Sequence, residues 1–82
     1  MTPEQFAARM YATADDIGLG MSHTPRERQE AWLEGFGHRT HVRWIELFPG
    51  LTAEDVSGMV ADFVGRIRAA RDSLERLEAG RA

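Results

Sequence analysis

The sequence predicts an all-α fold, a small three- to four-helix bundle with a long C-terminal helix. Two observations carry this. Val56, Val60, Phe63, Ile67, Ala70, Leu74 and Leu77 are separated alternately by four and three residues, the heptad spacing of a helix that lays one apolar stripe against a neighbour. A helix-start signal also occurs three times. Thr2-Pro3-Glu4-Gln5, Thr24-Pro25-Arg26-Glu27 and Thr52-Ala53-Glu54-Asp55 each place a hydroxyl at the N-cap and an acid or amide three residues on. Two of them add a proline at the first helical position.

The first helix is expected over residues 3–17. Phe6, Met10, Ala14 and Ile17 give it one apolar face, and Gly18-Leu19-Gly20 supplies a glycine stop with a left-handed cap. Asp15 and Asp16 fall in its last turn, where the helix dipole disfavours acids, so either they answer nearby arginines, with Arg66 and Arg71 as candidates, or the helix ends sooner.

The second helix is expected over residues 25–36, followed by a short separate helix over 41–48. Continuing one helix through both segments would align Trp32, Phe36, Trp44 and Phe48, all multiples of four apart, and such a row drifts around the cylinder because about 3.6 residues make a turn. Gly35 and Gly37 each cost about 1 kcal/mol in a helix interior and favour a break. Val42, Trp44 and Ile45 also permit a strand over residues 40–48, but an isolated strand has nothing to pair with.

The third helix is expected over residues 53–78. Met59 and Val64 widen the apolar surface of its first half, which suits packing inside its own domain. The second half narrows to Ile67, Ala70, Leu74 and Leu77, flanked by Arg66, Arg68 and Arg71. A parallel pairing of two copies would set Arg66 against Arg71, which argues against a simple parallel coiled-coil zipper, while a symmetric homodimer through Met59, Phe63 and Val64 stays open.

The totals narrow the functional classes. Eighty-two residues make a single helical domain spanning 1–82, which buries only roughly 60 to 65% of its unfolded surface and gains from a partner. No cysteine is present, so thiolate metal sites, disulfides and cysteine nucleophiles are excluded, and a cytoplasmic location is expected. No apolar run is long enough to span a membrane, and no cationic segment followed by an apolar core opens the chain. All ten basic residues are arginine, the usage of a G+C-rich genome. Residues 1–64 hold five arginines against ten acids and residues 65–82 hold five against three, so the body is acidic and the tail mildly basic. An acidic body argues against nonspecific attraction to phosphate backbones.

Candidate chemical sites are sparse. On a continuous helix Glu30, Glu34, His38 and His41 would share a face suited to a metal ion, but the two glycines interrupt it and neither histidine has a glutamate three residues before it. Ser22, Ser57, Ser73, three histidines and Asp15-Asp16 lie in no recognisable catalytic turn, and adjacent helical aspartates point about 100° apart. The expectation is a non-enzymatic chain without cofactor.

Thr24-Pro25-Arg26-Glu27-Arg28-Gln29, loosely continued by Leu33-Glu34-Gly35, resembles the opening of the four-helix DNA-binding domain of LuxR-type regulators. The resemblance covers about a dozen residues and implies a recognition helix near Thr52-Ala53-Glu54-Asp55-Val56-Ser57-Gly58, which here is acidic and lacks a base-reading side chain. His38-Arg39-Thr40-His41-Val42-Arg43-Trp44 is the one segment in which cations and an aromatic ring interleave as on nucleic-acid surfaces.

The reading that results is a protein–protein interaction module: an accessory subunit, adaptor or inhibitor, of a kind a phage or mobile element carries. It would bind a protein partner, or a copy of itself, through Arg66, Ile67, Arg68, Ala70, Arg71, Leu74 and Leu77. A small helical nucleic-acid-binding regulator is the alternative, with a His/Glu metal-binding helical protein behind it. The aromatic residues are expected in the core, and a tryptophan left exposed would be the strongest contact candidate.

Overall fold

The computed structural model describes residues 2–81, and side chains through residue 80. It is all-α: α1 (Pro3–Gly20), a 3-10 turn (Met21–His23), α2 (Arg26–Leu47) and α3 (Ala53–Arg81), with no strand among the described residues. The helices alternate in direction. Phe6 of α1 meets Trp44 of α2 and Phe48 just beyond its end, whereas Met21 meets Gln29, so α1 and α2 are antiparallel. Asp15 meets Arg66 while Gly18 lies against Ile67 and Ala70, so α3 runs parallel to α1. The bundle is elongated, 49 × 24 × 15 Å.

Two of the three start signals form reciprocal caps. Gln5 N donates to Thr2 Oγ1 while Thr2 N donates to Gln5 Oε1, both at 3.1 Å. Asp55 and Thr52 repeat the arrangement at 3.0 and 3.2 Å. The third is displaced by one residue. Pro25, at φ −55° and ψ 139°, stands at the cap of α2, and the Thr24 carbonyl instead accepts from the Gln29 side chain.

Two expectations fail here. Gly18 is no left-handed cap: α1 continues to Gly20, and no described glycine has positive φ. Gly18 is buried against α3, where a Cβ would stand 2.4 Å from the Ile67 carbonyl oxygen and 2.7 Å from the Ala70 Cβ. With Ala14 one turn earlier, also fully buried, it lets the two helices approach closely.

The separate helix over 41–48 is also absent, because α2 is unbroken through Gly35 and Gly37. The four-helix arrangement implied by the LuxR-type resemblance is therefore not met. Two interior glycines cost about 2 kcal/mol together, while burying each large apolar side chain stabilises by roughly 1.5–3 kcal/mol. Leu33 and Trp44, on either side of the glycines, are both buried in the common core. A bend at residues 35–37 would remove one of them from it.

That core takes Val56, Val60, Phe63 and Ile67 from α3, Leu33 and Trp44 from α2, and Ala14 and Met21 from the first segment. Its rings are arranged edge-on or tilted: Phe6 to Trp44 at 5.2 Å, Trp44 to Phe63 at 5.4 Å and Phe36 to Phe63 at 5.7 Å. No helix among the described residues is long and apolar enough to cross a membrane.

Candidate functional site

The outer half of α3 divides where the bundle ends. Ile67 is fully buried, and Ala70 faces Gly18 of α1. Arg71 is 3% exposed, with Nη1 donating to Glu30 at 3.0 Å and to Gln29 at 3.3 Å, and Nε donating to Asp72 at 3.1 Å. Ile67 and Arg71 thus lie in the chain's own interior, where the heptad reading expected them to face a partner, and Ala70 is partly covered. A uniform heptad pattern does not mark where a helix leaves its neighbours.

The two exposed arginines of the set are engaged by acids of the same chain. Arg66 makes a two-pronged pair with Asp15 at 2.8 and 3.1 Å and lies over the Tyr11 ring at 5.4 Å, so Asp15 has an arginine partner although α1 runs on to Gly20 and leaves it clear of the last turn. Arg68 pairs with Glu30 at 3.0 Å. Such surface pairs are worth only about 0–1 kcal/mol, so a partner acid can replace them at little cost, but they do not draw one in. Hydrogen bonds from Arg66 hold the Asp15 carboxyl below its ordinary range, and those from Arg71 and Arg68 do the same for Glu30. Burial pulls the Arg71 guanidinium down, but its bonds to Glu30 and Asp72 outweigh this and leave it raised.

Only the end of the predicted stripe remains uncovered. Leu74 is half-buried and Leu77 is 63% exposed.

A second apolar feature lies at the same end of the bundle, on the open side between α1 and α2. Ile17, Gly20 and Met21 form one wall and Thr24, Arg28 and Trp32 the other, enclosing about 500 Å³. Trp32 is 42% exposed, though its ring stacks on Phe36 at 4.8 Å and 14° between planes. Its place follows from helix geometry. A row spaced by four drifts about 40° per step, so an unbroken α2 with Trp44 buried carries Trp32 out to the edge. The drift was legible in the sequence, but with α2 expected to break, its consequence for Trp32 was not.

The groove between α2 and α3 is larger and more open, about 810 Å³, and holds the former metal candidates. With α2 continuous, Glu30, Glu34, His38 and His41 do share this side, but Glu30 is tied to Arg68 and Arg71. Among the described residues no three His, Asp or Glu side chains stand where they could hold one metal ion. His41 Nδ1 lies 3.5 Å from Ser57 Oγ, at the limit of a hydrogen bond. Ser22 bonds the Leu19 carbonyl and Ser73 accepts from Arg76, so neither is paired with a base.

Compared with models of known protein families, with curated proteins and with solved structures, the chain shows no match.

Proposed function

We propose that this chain is a non-enzymatic protein-binding module, working as an accessory subunit, adaptor or inhibitor, whose contact surface is the end of the bundle that carries the Trp32 groove and the uncovered tip of α3. The observation that supports this best is Trp32 itself. A large ring is held rigidly by its stack on Phe36, half-open to solvent, above a groove walled by Ile17 and Met21. Held aromatic side chains in desolvating pockets dominate interface energies, at about 2 kcal/mol or more each. Leu77 offers a second, smaller contact. Of the residues first expected to bind, Leu74 and Leu77 stay in the proposed surface, while Arg66, Arg68 and Arg71 are engaged by acids of the same chain.

The test is affinity capture from the native host with wild type and two variants, Trp32→Asp and Leu77→Asp, each checked for helix content by circular dichroism. Folded Trp32→Asp protein that loses the captured partner, with Leu77→Asp weakened less, is the expected result. A folded Trp32→Asp variant that captures the same partner at the same yield contradicts the reading.

A further inference from the structure

The side of the bundle that carries the Trp32 groove also carries a row of unpaired arginines. Arg26, Arg66, Arg68 and Arg71 are all ion-paired within the chain. Arg9, Arg28, Arg39 and Arg43, like Arg76 on α3, form no ion pair among the described residues, and helical phase places the first four on one side of the bundle, Arg28 lining the groove and the others farther along. Arg28, Trp32, Arg39 and Arg43 follow at intervals of four, seven and four, which keeps them on one side of α2. Arg39 lies against that side, its guanidinium 3.1 Å from where a Cβ on Gly35 would stand. On α1, Arg9 precedes Gly20, which lines the groove, by eleven residues, close to three full turns. The acids in the same phase are Asp16, four residues before Gly20, and Glu46, eighteen after Arg28. Four guanidinium groups thus face two carboxylates on this side of a chain whose net charge is −3.

We infer that the groove takes an acidic amphipathic helix of another protein, its apolar side chains entering beside Trp32 and its carboxylates meeting Arg28, Arg39, Arg43 and Arg9. This rests on the groove being the contact surface and adds the chemistry of what fills it. An apolar groove with one unpaired cation, Arg28, in its lining and three more farther along the same side of the bundle is complementary to a helix with apolar residues at three- and four-residue spacing and glutamates beside them. Nucleic acid fits less well, because Asp16 and Glu46 stand on the same side and the groove walls are mainly apolar.

The probe is a synthetic peptide of about 18 residues, long enough to form a helix on binding, with leucine and phenylalanine on one face and glutamate elsewhere. Its control carries lysine in place of glutamate. Binding is followed by calorimetry and by tryptophan emission, in which Trp32 responds because Trp44 is buried. The glutamate peptide is expected to bind, at least about tenfold more tightly than the lysine peptide and about tenfold more tightly than to the folded variant Arg39→Glu/Arg43→Glu. Equal binding of both peptides, or an unchanged affinity in that double variant, overturns the acidic partner. If Trp32→Asp abolishes binding in that case, the groove itself is retained as the contact surface. A single-stranded oligonucleotide that competes with the glutamate peptide at ordinary ionic strength also overturns the proposal, in favour of nucleic acid.

Discussion

Gln29 and Arg71 are both 3% exposed and bonded to each other, Arg71 Nη1 donating to Gln29 Oε1 at 3.3 Å. Gln29 Nε2 in turn donates to the Met21 and Thr24 carbonyls at 2.8 and 2.7 Å. The pair joins α3 to the turn that closes one end of the groove, and no buried side-chain polar atom among the described residues lacks a partner. A half-satisfied buried network costs more than an apolar one, so this linkage fixes how the turn sits.

The amide is needed, not merely a polar group. Gln29→Glu would place a carboxylate beside Arg71 but remove both donations to carbonyl oxygens and bring acceptor against acceptor. Denaturant unfolding should show a loss of about 2–3 kcal/mol despite the neighbouring guanidinium. A neutral or stabilising effect would mean the turn does not depend on these bonds.

Two glycine substitutions should act in opposite directions. Gly18→Ala drives a methyl into the Ile67 carbonyl and Ala70, and is expected to destabilise by about 1–3 kcal/mol despite alanine's helix preference. Gly37→Ala meets only the Val64 and Val60 methyls at 3.6 and 4.0 Å, ordinary contact distances, and should stabilise by about 1 kcal/mol. Thermal midpoints of the two variants check both signs at once.

Acid should weaken the bundle over a defined range. Hydrogen bonds from Arg71 and Arg68 hold Glu30 below its ordinary 4.5, and those from Arg66 hold Asp15 below its ordinary 3.8. Carboxyls depressed in the folded state contribute stability above their unfolded values that is lost as pH falls through the folded ones. The thermal midpoint is therefore expected to hold from neutrality to near pH 4.5 and to decline below it. Glu30→Gln should flatten part of that decline, and a decline unchanged in this variant would remove Glu30 from the account.

Much of this fold is legible in the sequence because local signals and packing agree. The Thr2 and Thr52 boxes form where the residue spacing places them, the seam from Val56 to Ile67 is core, and Asp15 finds Arg66. The departures come from contacts distant in sequence. Gly18 reads as a stop until Ile67 and Ala70 pack against it. Gly35 and Gly37 read as a break until the core on both sides holds α2 straight. No local signal singles out Gln29, and only the fold brings Arg71 and two carbonyls around it. The same holds for the site. Leu77 is recognisable as uncovered once the helix outruns its neighbours, whereas exposure of Trp32 depends on α2 being continuous.

Acrylamide quenching of tryptophan emission, with and without the captured partner, tests most directly whether the Trp32 groove is where another protein sits. Trp44 is buried in the core, so the quenchable emission of the isolated chain should come from Trp32. In the complex that fraction should disappear and the emission should move to shorter wavelength. Emission that remains as quenchable in a complex of confirmed mass as in the isolated chain would show that the partner binds elsewhere.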